Sequence, residues 1–339
     1  MEPVIIEPSA PVGTEPTDIN AVDLATPAEA RTVGKSPTRI ALTRLRRDRT
    51  AMVCLGILAV FVLIAVLAPL LAKLEGQDPY TLHQELVDRN GYPYTGPTGD
   101  HWFGVEPRLG RDLFARWVYG ARPSLIVATT ATIISTLIGI VMGLVSGFAG
   151  GWLDRILSWI IDFVLSLPYL LFAIATAAVL VTLLGGEEDV TPDQVAKTRF
   201  IALIAVLSFF GWAGLARLIR GQVLSLRERE FIAAAKVLGI PTRRVLFREL
   251  LPNLVAPIVV SASLALPGFV TTEAGLSVLG VGLIEPTASW GVTISEAVTY
   301  YRADPLYLWL PVLGITILVL ALSLFGDSVR DAFDPRTRR

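Results

Sequence analysis

The sequence predicts an all-α polytopic membrane protein with six transmembrane helices. Three observations carry that reading. Of the 339 residues, 53% are hydrophobic and only 17% are charged, against about a quarter charged in an ordinary soluble domain. Six stretches contain no Asp, Glu, Lys or Arg: 50–72, 123–153, 163–186, 200–216, 250–272 and 305–326. Each is long enough to span, because a bilayer core needs roughly 20 apolar residues per helix, within about 17–25. A soluble two-domain enzyme is thereby excluded. An outer-membrane barrel is disfavoured too, since its strands alternate over roughly ten-residue segments. The balance of 29 basic and 30 acidic residues leaves no global field for nucleic acid. The single Cys54 rules out a disulfide framework and reads as a small apolar side chain facing lipid or a neighbouring helix.

Taken in order, residues 1–42 are rich in Pro, Ala, Thr and Glu, show little periodicity and read as a disordered cytoplasmic tail without a signal-peptide apolar region. Residues 43–72 form a basic anchor and the first transmembrane helix. Arg44, Arg46, Arg47 and Arg49 stand directly before that span and place the N-terminus in the cytoplasm by the positive-inside rule. Residues 73–122 form an extracytoplasmic loop, in which Arg116 and Arg122, close to the membrane, run against the same rule. Residues 123–327 make a five-helix core containing a polar loop at 227–252, and 328–339 form a cytoplasmic C-terminal tail. The segment 217–248 carries eight Lys/Arg, which places it on the inner side.

Within the core, Gly139, Gly143, Gly147 and Gly151 recur every four residues. On a helix this is a smooth stripe that lets another backbone come close; the plainer reading is that Gly147 to Gly151 already begins a turn. The third span opens with Asp154 and Arg155 and carries Asp162 further in, where pairing with Arg155 or a neighbouring helix is expected rather than a proton relay.

Catalytic chemistry finds little support. His83 and His101 are the only histidines, no HExxH or GxSxG occurs, and no His/Cys/carboxylate cluster has metal spacing. Gly34-Lys35-Ser36 looks like the end of a phosphate-binding loop, but the glycine needed five residues earlier is Glu29. No route to ATP hydrolysis on this chain is visible, so uphill movement draws on a partner or an ion gradient. Asp162 and Glu273 are the acids available for an intramembrane catalytic pair, and nothing in the sequence places them together.

The most informative loop is 227–252. Residues 228–238 read as a helix with Phe231, Ile232, Ala235 and Leu238 on one side. Gly239-Ile240-Pro241 stops it, Thr242 caps a second helix through about Leu251, and Pro252 marks the start of span five. Such a short, basic, bent arm suits a groove on a cytoplasmic partner or the surface of anionic lipid; physics alone leaves both open.

Ala234-Ala235, then Gly239, then Glu249-Leu250-Leu251-Pro252 resemble the EAA loop of ATP-binding-cassette importer permeases. Ala233 stands where that family usually has Glu, and Glu249 where it has Ile. His101-Trp102-Phe103-Gly104, Leu109-Gly110-Arg111-Asp112-Leu113 and Tyr119-Gly120-Ala121-Arg122 are similar to a block of peptide importer permeases. So are Glu273-Ala274-Gly275-Leu276-Ser277, Ser289-Trp290-Gly291 and the ending from Gly326 to Arg336. On these motifs the chain is identified as a member of the dipeptide/oligopeptide permease C subfamily.

The resemblance implies a type I importer permease fold and a non-catalytic subunit in a prokaryotic plasma membrane, with both termini cytoplasmic. The implied partners are a sibling permease, two ATPase subunits that bind ATP and Mg, and an extracytoplasmic solute-binding protein; no cofactor belongs to this chain. It assigns ATPase coupling to Ala234, Ala235, Gly239, Leu251 and Pro252; Glu230 is a further coupling candidate, which does not occupy the family's Glu position. Trp102, Phe103, Tyr92 and Tyr94 are the candidates for binding-protein docking, and Gly139, Gly143 and Gly147 for helix packing. The competing class, an ion-coupled secondary transporter or channel subunit, would carry internal repeats or a filter, and neither is evident.

Overall fold

The computed structural model describes residues 37–185 and 191–334. The tail reading for 1–36, the Gly34-Lys35-Ser36 triplet and the last arginines therefore lie outside the described residues. Five helical stretches are long and apolar enough to cross a membrane: Arg49–Glu75, Leu113–Ala149, Pro192–Leu226, Thr242–Val278 and Pro305–Phe333.

The chain enters through α1 (Pro37–Arg47), so residues 37–42 are helical and not part of a tail. Proline at the first helical position suits a helix start. Ala41 is buried, and Arg44 Nη1 donates to the carbonyls of Ala332 (3.5 Å) and Asp334 (3.0 Å), a cation against the C-terminal end of a helix. Asp48 accepts from Thr50 N at 3.0 Å and caps α2 (Arg49–Glu75). α3 (Leu113–Ala149) begins at Asp112, whose side chain accepts from Ala115 N. Gly150 and Gly151, both at positive φ, turn the chain.

The third expected span is not straight. α4 (Gly151–Ser166) and α5 (Tyr169–Gly185) meet at 95°. The cause is local: Pro168 pushes Leu167 out of the helical region, to ψ 135°. α4 is two-sided. Trp152, Ile156, Trp159 and Phe163 line its exposed apolar face, while Asp154 pairs with Arg220 at 2.8 Å and Asp162 with Arg217 at 2.5 Å. Both arginines lie on α7 (Ala213–Leu226), which continues α6 (Pro192–Gly211), so Asp162 pairs with a neighbouring helix and not with Arg155.

α3 is the central element, and it lies closest to α7 along the glycine stripe. A Cβ at Gly139 would sit 3.0 Å from the Trp212 carbonyl oxygen, one at Gly143 2.6 Å from Ile219 Cβ, and one at Gly147 2.7 Å from Val223 Cβ. Gly147 is still helical; the turn starts at Gly150.

After α8 (Glu230–Val237) the chain turns and rises through α9 (Thr242–Arg244), a π turn at Val245–Leu250 and a 3-10 turn at Leu251–Leu254 into α10 (Val255–Val278). α11 (Trp290–Tyr300) and α12 (Pro305–Phe333) complete the bundle. One end of the bundle, the arm end, carries residues 227–254; the other, the loop end, carries 76–112 and 279–289.

Candidate functional site

The arm end is built from apolar side chains. Ile232 and Ala235 of α8 are buried with Val245, Leu250 and Leu254 against Leu144, Ile219 and Val223 of α3 and α7. This puts α8, through the π turn it packs on, in one apolar cluster with the two helices that the glycine stripe brings together. At the tip, Leu238 N donates to Ala234 O and Ile240 N to Ala235 O, each at 3.0 Å, and Gly239 takes φ +70° with open space around it. This is the left-handed stop that glycine adopts without penalty.

The four apolar residues expected on one face of this helix divide. Ile232 and Ala235 turn inward, whereas Phe231 (42% exposed) and Leu238 (77%) face outward, beside Val237 (87%). Leu238 lies past the last helical residue, so the helical period no longer applies to it. Ala234 and Glu230 are exposed. Two further expectations need correction. Thr242 does not cap: Pro241 occupies the cap position and no side-chain cap bond forms. Pro252 does not begin a span, because the π and 3-10 turns carry one helix past it from Thr242 to Val278. A proline removes one backbone donor from a helix, and a change of turn type is how helices commonly take that up. Leu251 is half-buried and Pro252 exposed. Arg243, Arg244 and Arg248 flank the exposed Phe247 along a cleft at the base of the arm.

The loop end is built from charges. Glu106 accepts from Arg111 Nε through one oxygen, and its other oxygen forms an ion pair with Arg116, 3.1 Å from Nε. Glu285 takes Arg111 Nη1 at 2.6 Å and Arg116 Nη2 at 2.5 Å. Tyr307 Oη donates to Glu296 at 2.8 Å. The Arg116 and Glu106 side chains are almost wholly buried. Burial works against the charged form of Glu285, but Arg116 and Arg111 beside it hold the carboxyl below its ordinary value. Burial likewise opposes the charge on Arg111, and Glu106 and Glu285 raise its pKa in spite of it. His101 Nδ1 lies 2.8 Å from Asp112 Oδ2, tying the loop to the cap of α3. Sequence reading did not find this network. The available signal was Arg116, one of the two arginines that ran against the charge rule.

The four docking candidates do not share one state. Phe103 is half-buried, its ring 5.2 Å from Phe114 and 6.2 Å from Trp117, and belongs to the packing beneath the loop. Trp102 leans on Phe114, and Tyr92 meets Tyr300 edge-on; both keep exposed surface, and Tyr94 is 66% exposed. Asp162 and Glu273 do not meet. Glu273 is wholly buried and takes the hydroxyls of Ser124, Ser277 and Ser289 at 2.6, 3.1 and 3.2 Å. Among the described residues no group of three or more His, Cys, Asp or Glu could hold a metal ion.

Comparison with known proteins follows the same outline. Residues 135–339 match the family described as binding-protein-dependent transport system inner membrane component, and 36–97 match the N-terminal transmembrane domain of oligopeptide transport permease C. The dipeptide transport system permease protein DppC of Bacillus subtilis (strain 168) is 35% identical over 90% of this chain and 87% of its own length. The oligopeptide transport system permease protein OppC of Escherichia coli (strain K12) is 33% identical over 90% of this chain and 93% of its own.

The chain belongs to the permease family of binding-protein-dependent transporters.

The permease also shares the fold of a chain in an inward-facing MetNI methionine ABC transporter structure, with a TM-score of 0.51 and 19% identity. That match covers 65% of this permease and 96% of the other chain. It is therefore a multi-pass membrane subunit with the type I importer permease fold.

Proposed function

We propose that this permease forms half of the translocation pathway of an ATP-driven importer of di- or oligopeptides, with the arm 227–252 as its link to a cytoplasmic ATPase. The observation that supports this most directly is the arm itself. It is tied by Ile232 and Ala235 into one apolar cluster with α3 and α7, yet leaves Val237 and Leu238 exposed at its tip and Phe231 exposed along the helix. A rigid corner with an uncovered apolar tip transmits a rigid-body movement from a groove into the bundle.

In this reading the arm end faces the cytoplasm, as the arginines of α1 and of 217–248 favour. Both termini then lie inside, and the membrane is a prokaryotic plasma membrane. Ala234 lets the helix seat closely, Gly239 makes the corner, Glu230 and the arginine-flanked cleft border the seat, and Leu251 and Pro252 join the arm to its span. A sibling permease completes the pathway, and two ATPase subunits bind ATP and Mg, so this chain carries no catalytic group or cofactor. A solute-binding protein docks at the loop end on Trp102, Tyr92 and Tyr94, with Phe103 supporting them from beneath.

The test is peptide uptake by the reconstituted transporter carrying Leu238→Asp or Gly239→Val. Uptake falls at least tenfold while insertion and association with the sibling permease persist. Unchanged uptake in both variants, or uptake driven by an ion gradient without ATP, overturns the reading.

A further inference from the structure

Two cavities adjoin on the exposed side of α2, α3 and α6 near the loop end. The upper is a cleft of about 350 Å³ with a largely apolar wall, bordered by three charged side chains, Arg122 on α3 and Asp193 and Lys197 one turn apart on α6, and by Tyr80 and Tyr119. The lower is a trench of about 660 Å³ between α2 and α3, lined by Val62, Val66, Leu125, Ile126 and Thr129. They adjoin, with Arg122 and Ile126 lining both.

The residue at the junction is held in place by a defect in α2. Pro69 has no N–H, so the carbonyl of Ala65, four residues before it, has no helical donor. Arg122 Nε donates to that carbonyl and Nη2 to the carbonyl of Val66 at 3.0 Å. The guanidinium also lies over the Tyr119 ring, 5.1 Å from its centroid. Its remaining Nη1 has no hydrogen-bond partner among the described residues, and Arg122 lines the cleft.

Depth separates the chemistry of the two cavities. Arg122 immediately precedes the uncharged run that starts at residue 123, and Asp193 and Lys197 precede the run that starts at 200; these positions lie at headgroup level. From Arg122 to Thr130 the trench descends eight residues along α3, about 12 Å into the hydrocarbon. Its walls are open to the side: Val62, Val66 and Ile126 are 50%, 63% and 52% exposed.

We propose that the paired cavities bind one phospholipid with an amine in its headgroup. The phosphate lies between Arg122 and Lys197, the ammonium faces Asp193, and an acyl chain fills the trench. A cleft with two cations and one anion matches a phosphate carrying an ammonium. The trench decides between a lipid and a soluble zwitterion, since only a ligand with a hydrocarbon chain gains from burying that apolar wall. The proposal requires only that the permease spans a bilayer and is independent of what the transporter carries.

The experiment is native mass spectrometry of the intact transporter in mild detergent, washed free of loose lipid and titrated with dioleoyl-phosphatidylethanolamine. One phospholipid per copy of this permease survives the wash. Ile126→Trp, which fills the trench, and Lys197→Glu, which reverses a charge at the cleft, each weaken binding at least tenfold. Both side chains are exposed, so neither change disturbs the core, and uptake measured alongside reports that the complex is intact. Asp193→Asn removes a several-fold preference for dioleoyl-phosphatidylethanolamine over dioleoyl-phosphatidylglycerol. Dioleoylglycerol, which lacks the phosphate, and glycerophosphoethanolamine, which lacks the chains, do not compete. Equal retention in wild type and both variants overturns the site, as does a wild type that retains no lipid. Full competition by glycerophosphoethanolamine would make the cleft a site for a small polar solute instead.

Discussion

The two ends of this permease are held by opposite chemistry. At the arm end, Ile232 and Ala235 of α8 share one apolar cluster with Leu250 and Leu254 of the following turns and with residues of α3 and α7, and the tip leaves Val237 and Leu238 exposed. At the loop end, Glu106, Arg111, Arg116 and Glu285 pair with one another, the first three buried and Glu285 32% exposed. The difference sets what each end offers a partner. The charges of the loop end are spent on one another, and the aromatics Trp102, Tyr92 and Tyr94 above them keep exposed surface. An apolar tip with nothing over it offers surface that another protein covers without first removing water from charges.

The comparison breaks most visibly at Arg116. Arg116→Met leaves Glu106 and Glu285 short of a cation inside the fold, and losing one member of a buried ion pair costs about 3–5 kcal/mol. The expected result is a large drop in the melting temperature of the purified complex, together with new protease cleavage in the loop 76–112. An unchanged melting curve would mean that the loop end is not held by its charges.

Gly143→Leu comes next. Its Cβ meets Ile219 Cβ at 2.6 Å and the Ala216 carbonyl at 2.7 Å, so α3 and α7 must separate, at about 1–3 kcal/mol for overpacking. Because the arm shares one apolar cluster with these two helices, uptake falls with stability. Gly56→Ala, with open space around Gly56, is the matched control and changes neither.

Leu238→Asp sharpens the contrast. The side chain is 77% exposed, so stability moves by no more than about 0.5 kcal/mol, while co-purification of the ATPase subunits drops. A stability loss as large as that of Gly143→Leu would place Leu238 in the core instead of at an interface.

The smallest effect is the pH dependence of the loop end. Glu285 is held below its ordinary value, so its contribution is fully present above the unfolded glutamate pKa of about 4.3. It is lost as the pH falls through the lower, folded value. Melting temperature measured from pH 7 down to 3.5 therefore bends downward below about pH 4.3, and Glu285→Gln flattens that bend. A bend that persists unchanged in the variant assigns it to another carboxyl.

Much of this architecture is legible without coordinates because its causes are local. Length and absence of charge mark α2, α3 and α12 as spans, since a helix satisfies its own backbone wherever it lies. The glycine period marks the close approach of α3, and Gly239 followed by Pro241 marks the corner of the arm. Where the reading went astray, two local signals competed. Pro168 breaks a charge-free run that composition alone treats as straight, whereas Pro252 does not break the helix that contains it, because Val245–Leu254 changes its turn type around it. A proline removes one donor in both cases, and the surrounding packing settles whether the chain bends or adapts.

The sequence by itself determined that the chain crosses a membrane several times, that α3 presents a smooth stripe, and that a bent arm projects between two spans. Each follows from residues within a turn or two of one another. Only the tertiary structure decided which helix fills the stripe, which face of α8 is buried, and which charges meet. Glu106 and Tyr307 lie 201 residues apart yet meet at 3.5 Å. Arg122 answers a carbonyl freed by a proline on another helix. The reason is that backbone rules act over one helical turn, whereas burial of a charge is tolerated only where its counter-charge arrives from elsewhere in the chain.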